Sequence, residues 1–366
     1  MTTIAPAPGT QISLAPSAEA LVFMGTGQPP ALIAVAEVTL REGEVLASIE
    51  LATVCGSDVH TVHGHRSAVG PQVLGHEQVG RVVALGPGAP AAAVDGSALR
   101  IGDRIVWAVC VACGECPRCL RALPNKCEVV QKYGHAQVRR GWELTGGLAT
   151  HTHLLAHTAI VHAPEELSAE LLAPASCATA TITAVLEAAT SVRSLMGETV
   201  LVSGCGMLGL TAIAMAREAG ASVVAVDPDS RRRALAREFG AEQALSPARM
   251  NRDFSVALEL SGSSDAIAYA VEHVDVGGVV VLVGSVFPAP PVPISAEGIV
   301  RRLVTIIGVH NYRPEHLVQA VAFLERANEE LFTGLISAPI SLDAAVEKLA
   351  SGSAASIRMS VRPGRS

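Results

Sequence analysis

The 366-residue sequence has no apolar run of about 18 residues or more, the length a helix needs to cross a bilayer. A transmembrane helix is therefore not expected. The opening residues, MTTIAPAPGTQISLAPSAEA, lack a basic stretch followed by an apolar one, so they do not read as a secretory signal. Rich in Ala, Pro and Thr, they read instead as a frayed end. Charge is also sparse: 17% of residues are charged and the net charge is −7, which argues against nucleic acid as a partner. Internal repeats are absent, and low complexity is confined to the termini. With no export signal, the eight cysteines point to metal binding or catalysis rather than disulfides, and to a cytoplasmic enzyme.

What is present is a large apolar content, 49%, in a chain too long for one core, so two domains are expected. Residues from about Leu21 to Leu51 and from Val79 to Val109 alternate short apolar runs with turn residues and read as strands of a β-rich, partly barrel-like domain. Gly86 to Gly96 reads as a surface loop. From about Leu171 the texture changes. Ala-rich helical stretches now alternate with β-branched runs such as TVLVSG, SVVAVD and GGVVVLVG. That alternation predicts βαβ units on a parallel sheet as far as Tyr312. A last helix and a short strand containing SIRMSVRP follow, and that strand is placed to return to the first domain.

Three stretches carry chemistry. The first runs from Cys55 to Glu77 and reads CGSDVHTVHGHRSAVGPQVLGHE. Cys sulfur and His nitrogen are the usual ligands of Zn²⁺. Cys55 and His76 fall short of a site, so a further ligand is expected elsewhere.

In the second, the strand Val200–Ser203 runs into Gly204-Cys205-Gly206-Met207-Leu208-Gly209 and then a helix. This G-x-G-x-x-G pattern fits a dinucleotide pyrophosphate at a helix N-terminus. The next strand ends in Asp227, 18 residues past Gly209. A carboxylate there suits the ribose hydroxyls of NAD and repels the 2′-phosphate of NADP. Arg231, Arg232 and Arg233 read as a solvated helix face near the adenosine.

The third is Cys113, Cys116, Cys119 and Cys127, a cluster able to close a tetrahedron around a structural Zn²⁺. An iron–sulfur cluster is the competing metal. Cys110 and Cys205 read as small buried residues.

These motifs, in this order, resemble the zinc-containing medium-chain alcohol dehydrogenases across nearly the whole chain from about residue 30. HTVHGHR, LPNKC, KYGH and APASCATAT are most similar to the subgroup associated with phosphonate catabolism. The resemblance implies an α/β architecture. A GroES-like catalytic domain takes residues 1–176 and 313–366, with a structural zinc lobe at 110–128. A doubly wound (Rossmann) NAD domain takes 177–312. It implies a catalytic zinc on Cys55, His76 and Cys177, with Glu77 beside it as an alternative ligand. Asp58 orients the zinc-bound His, Ser57 and His60 relay the proton, and Arg358 reaches the cofactor pyrophosphate.

The expected reaction is hydride exchange between a small polar alcohol and NAD, with zinc polarising the substrate oxygen. A phosphonate-bearing substrate would need cations, for which Arg66, Lys132 and His135 are the candidates by position. A pocket lined by Trp107 and Leu154 would instead suit an aliphatic or cyclic alcohol. The alternatives are a general secondary-alcohol or polyol dehydrogenase, a zinc-free reductase of the same superfamily, and a non-catalytic nucleotide-binding protein. A homodimer or homotetramer without membrane partners is expected.

Overall fold

The computed structural model describes residues 9–88, 91–249, 253–351 and 356–364. The chain divides into two compact units, Met1–Cys177 with Arg313–Ser366, and Ala178–Tyr312. Cys177 falls with the first unit, one residue beyond the boundary read from the sequence.

In the first unit β1 (Thr10–Phe23) pairs antiparallel with β2 (Ala31–Leu40). The opening segment is therefore not frayed from Thr10 onward. Ala18 and Ala20 to Phe23 are buried, and Ile12 and Leu14 pack partly on the core cluster that holds Ala18, Ala20 and Val22. The period-two apolar pattern outweighs the Ala/Pro composition that suggested a loose end. β3 (Val45–Val54) leads into α1 (Gly56–Val62). β4 (Gln72–Val73) pairs with β1, and β5 (Glu77–Leu85) with β3. β6 (Arg104–Trp107) continues that sheet. A lobe follows, made of β7 (Cys110–Val111), α2 (Pro117–Leu120) and β8 (Gln131–Lys132). β9 (His151–Leu154) and β10 (Ile160–His162) return to the main sheet, and α3 (Ala169–Leu172) precedes Cys177. The strand Met359–Val361 pairs antiparallel with β3, giving the order β10-β6-β5-β3 and then this last strand.

Trp107 and Leu154 are fully buried, in one core cluster with Ile105, Tyr133 and Trp142. They fill the core and have no exposed surface to offer a substrate, which corrects the pocket expected of them.

The second unit contains α4 (Ala178–Thr190), β11 (Thr199–Ser203), α5 (Met207–Glu218), β12 (Ser222–Val226), α6 (Ser230–Glu238) and β13 (Gln243–Leu245). It continues with β14 (Phe254–Glu259), α7 (Ser264–His273), β15 (Val274–Leu282), α8 (Ala296–Arg302) and β16 (Thr305–Gly308). The strands form one parallel sheet in the order β13-β12-β11-β14-β15-β16. Strands buried on both faces are continuously apolar, as in Val-Leu-Val of β11 and Val-Val-Ala-Val of β12. The direction of winding reverses between β11 and β14, and ligands of such sheets bind outside the strand ends at that point. Among the described residues, no single helix is long and apolar enough to cross a membrane.

One buried polar contact ties the first unit together. Glu44 Oε2 accepts from the Arg41 backbone N–H at 2.8 Å and meets His153 Nε2 at 2.9 Å. Burial pushes the Glu44 carboxyl up, but His153 and the Arg41 amide outweigh it and hold the carboxyl below its usual value. Its stabilisation is therefore present above the unfolded carboxyl's range and is lost as pH falls through the folded value. Glu44→Gln is expected to cost about 1–3 kcal/mol at pH 7. The gap in melting temperature from the parent should narrow as pH falls below the ordinary carboxyl value of 4.5, as followed by thermal denaturation.

Candidate active site

β3 ends at Val54, and Cys55 begins the turn into α1 with extended backbone. Asp58, fully buried, fixes that turn: its Oδ2 accepts from the Cys55 backbone N–H at 2.9 Å. Its Oδ1 accepts from the Gly75 N–H at 3.2 Å and stands 3.6 Å from His76 Nδ1. One carboxylate thus joins the Cys55 and His76 segments. Gly75 has φ +89°, and a Cβ there would lie 2.5 Å from the Leu148 backbone nitrogen, so no larger residue fits. Burial disfavours a charged His76, but Asp58 and Cys55 outweigh it and raise its pKa well above the ordinary value.

Glu77 opens β5 opposite Thr53 of β3, and its Oε2 accepts from the Thr53 hydroxyl at 2.7 Å. Arg358, just before the last strand, grips both Glu77 oxygens at 2.9 and 3.1 Å. Its Nη2 is also 3.8 Å from Cys55 Sγ. Burial pushes the Glu77 carboxyl up against the pull of Arg358. Cys177 follows a short turn of 3₁₀-helix, Ala173–Ser176, and the Ser176 hydroxyl donates to the His76 carbonyl at 2.9 Å. Cys55 and Cys177 sulfurs are 4.0 Å apart. The Cys177 thiol, then the Arg358 charge, hold Cys55 well below the usual thiol range despite burial.

One donor atom from each of Cys55, His76, Glu77 and Cys177 lies within 4.8 Å of the others. A tetrahedral zinc with Zn–S of about 2.3 Å sets its sulfurs about 3.8 Å apart. The Cys55–Cys177 spacing meets that requirement. So does the lobe, where Cys116 is 3.5 Å from Cys119 and 3.9 Å from Cys127, and Cys127 is 3.5 Å from Cys113. Backbone amides of Glu128 and Cys119 bring the Cys116 thiol down to about 6. Both donor sets fit zinc, and all eight cysteines are free thiols.

The remaining candidates around the first site fall as follows. Ser57 Oγ is 3.4 Å from His76 Nε2. His60 Nδ1 faces His65 Nδ1 at 3.4 Å, and burial, then the His65 charge, lower its pKa. Arg66 Nη1 meets His135 Nδ1 at 2.8 Å, and the His135 ring lies 4.6 Å from the His76 ring. Burial, then the charges of His76 and Arg66, hold His135 well below its ordinary value. Lys132, in β8, pairs in register with Cys110. The contacts of Thr53 and Ser176 were not read from the sequence. A Ser directly before the candidate ligand Cys177 was the available signal.

In the second unit the Gly204 turn leaves β11 and α5 begins at Met207 and Leu208. A Cβ on Gly209 would stand 1.8 Å from the Gly204 carbonyl, so helix and turn touch backbone to backbone. Asp227 Oδ2 accepts from the Cys205 N–H at 2.8 Å and Oδ1 from the Asp229 N–H at 2.8 Å. Arg232 is half exposed, 3.9 Å from Asp227 Oδ2. Cys205 is fully buried, and burial, then Asp227, push its thiol up to about 12.

A β-rich unit with two thiol-based metal sites, and a parallel nucleotide-type sheet, define a zinc dehydrogenase class. Residues 41–165 match the alcohol dehydrogenase GroES-like domain and residues 208–326 the zinc-binding dehydrogenase domain. The chain is 32% identical over 279 residues to an alcohol dehydrogenase of Geobacillus stearothermophilus, covering 73% of this chain and 77% of that one. It is 30% identical over 294 residues to an L-threonine 3-dehydrogenase of Streptomyces coelicolor, covering 75% and 79%. An alcohol dehydrogenase crystal structure from Thermotoga maritima superposes with a TM-score of 0.86 at 29% identity, over 97% of this chain and all of the other. The protein belongs to the zinc-containing alcohol dehydrogenase family, and the fold class expected from the sequence holds.

The two donor sets lead us to expect two zinc ions per chain. Elemental analysis of the purified protein should show Cys116→Ser losing one and His76→Ala losing the other. A parent with no zinc would refute both sites, and one ion per chain would refute one of them.

Proposed function

We propose that the protein is an NAD-linked dehydrogenase that interconverts a small polar alcohol and its aldehyde or ketone. The observation that carries this reading is the donor cluster of Cys55, His76 and Cys177 with the Ser57 hydroxyl 3.4 Å from His76 Nε2. Zinc held there would polarise the substrate oxygen as a Lewis acid. Asp58 keeps the His76 ring oriented through Nδ1. Ser57 would take the substrate's hydroxyl proton. His60 lies one turn further along α1 and is kept toward its neutral, proton-accepting form by burial and by His65. Glu77 sits beside the metal position, restrained by Arg358 and Thr53. We assign the Arg358 Nη1 edge, which meets the Ile357 carbonyl at 3.2 Å, to the cofactor pyrophosphate. Gly204 to Gly209, Asp227 and Arg232 hold the adenosine half, with Asp227 favouring NAD over NADP.

For the substrate we propose an anionic alcohol, a phosphonate-bearing one in particular. Arg66 is half-buried and meets an imidazole, and among the described residues it makes no ion pair with a carboxylate. A sheltered guanidinium beside the site is suited to a substrate anion, with His135 between it and His76. Lys132 adds positive charge near His135. The relative from Streptomyces is an L-threonine dehydrogenase, and threonine also carries a carboxylate. A neutral secondary alcohol or polyol is the second reading. A cytoplasmic homodimer or homotetramer accompanies this proposal, with β16 at the sheet edge and Val300 and Leu303 exposed nearby.

The test is a panel of a hydroxyalkylphosphonate, L-threonine, a polyol and 2-propanol, with NAD and with NADP. Turnover is expected with NAD and an anionic alcohol. Arg66→Ala should raise KM for that substrate about tenfold or more, and leave neutral alcohols within about twofold. Activity on neutral alcohols alone would replace the anionic reading with the polyol one.

A further inference from the structure

Glu259 ends β14 and is fully buried, with no ion-pair partner among the described residues. Its carboxylate is spent on the turn that follows. Oε1 accepts from the Ser261 N–H at 2.9 Å, the Ser261 hydroxyl at 2.5 Å and the Gly262 N–H at 3.0 Å. Oε2 accepts from the Gly262 N–H at 3.2 Å. The Ser261 hydroxyl in turn accepts from the Ser263 N–H at 3.1 Å. The Glu259 carbonyl accepts from the N–H groups of Val283 and Gly284, both at 3.0 Å, which ties the loop after β15 to the same point.

This turn stands across the switch point from the glycine motif. Leu260 N–H donates to the Ser203 carbonyl at 2.9 Å, and a Cβ on Gly204 would come within 3.0 Å of the Ser261 backbone. On its other side a Cβ on Gly284 would fall 2.2 Å from the Gly262 nitrogen, so three strand-end loops touch through backbone. A doubly wound sheet takes one mononucleotide half on each side of its switch point. Asp227 and the Gly204 turn serve the β11–β12 side. The β14–β15 side is built by the turn that Glu259 holds.

We propose that Glu259 is a positioning residue for the cofactor: its carboxylate sets the Ser261–Gly262 turn as the wall that receives the nicotinamide half. This rests on the NAD reading above. A buried carboxylate without a cation is costly, and here the four hydrogen bonds that offset the cost all come from this one turn, so the carboxylate and the turn's shape are set together.

The experiment is calorimetric titration of the zinc-loaded full chain with NAD and, separately, with ADP, for the parent, Glu259→Gln and Ser261→Ala. Gln keeps the size but offers a donor where the turn needs an acceptor. Glu259→Gln is expected to weaken NAD about tenfold and leave ADP within about twofold, and Ser261→Ala to weaken NAD alone by about threefold. Equal affinities for NAD in parent and both variants overturn the proposal. So does a matched loss of NAD and ADP affinity in a variant that still melts cooperatively at the parent temperature. If Glu259→Gln does not fold, the Ser261→Ala result decides in the same way. A parent that binds neither nucleotide defeats the NAD reading itself, a distinct outcome from unchanged variants.

Discussion

The site depends on the buried Asp58 carboxylate. It accepts from the Cys55 and Gly75 amides and stands 3.6 Å from the His76 ring at once. Without it the α1 turn and the segment before β5 would each keep their residues but lose their mutual setting. A buried carboxylate is tolerated only when its oxygens are satisfied, and here both are. The Gly75 turn makes the approach feasible, because a side chain there would strike Leu148. Register then does the rest: Thr53 opposite Glu77, and Met359 opposite Val54, bring Arg358 to the same corner.

Much of this was legible in the sequence where the relevant residues lie close together. CGSDVH and GHE sit at the two ends of one stretch, the lobe cysteines span 113 to 127, and the glycine motif is contiguous. The alternation of β-branched and Ala-rich runs identified the parallel sheet because its strands are buried on both faces. What could not be read was contact at long range. Arg358 and Glu77 are 281 residues apart, and Ser176 and His76 are 100 apart. No local pattern encodes such pairs. The start of β1 was misread for a related reason: its partner strand, not its composition, orders it. Trp107 and Leu154 were misassigned because an apolar residue near a motif looks the same from the sequence whether it lines a pocket or fills the core.

The two units solve the same problem in parallel ways. In the second, Asp227 binds the Cys205 and Asp229 amides and so couples the glycine turn to the end of β12. Glu259 does likewise for the turn after β14. In each case a buried acid at a strand end organises backbone amides, and only Asp227 also has a guanidinium, that of Arg232, within 3.9 Å. The glycines are where the loops so ordered come into contact.

Glu77 and Arg358 form the contrasting case, a buried ion pair. Removing both would be tolerable in an apolar core, whereas removing one would leave a charge stranded. Here it would be stranded beside thiols intended for a cation. Arg358 offsets the negative charge of Glu77 and, through Nη2, bears on Cys55. With Thr53 it also engages both Glu77 oxygens, so the carboxylate is restrained beside the Cys55, His76 and Cys177 donor atoms. On the proposed reading that zinc there takes and releases a substrate, that restraint would matter, because a fourth protein ligand would close the position that the chemistry requires open.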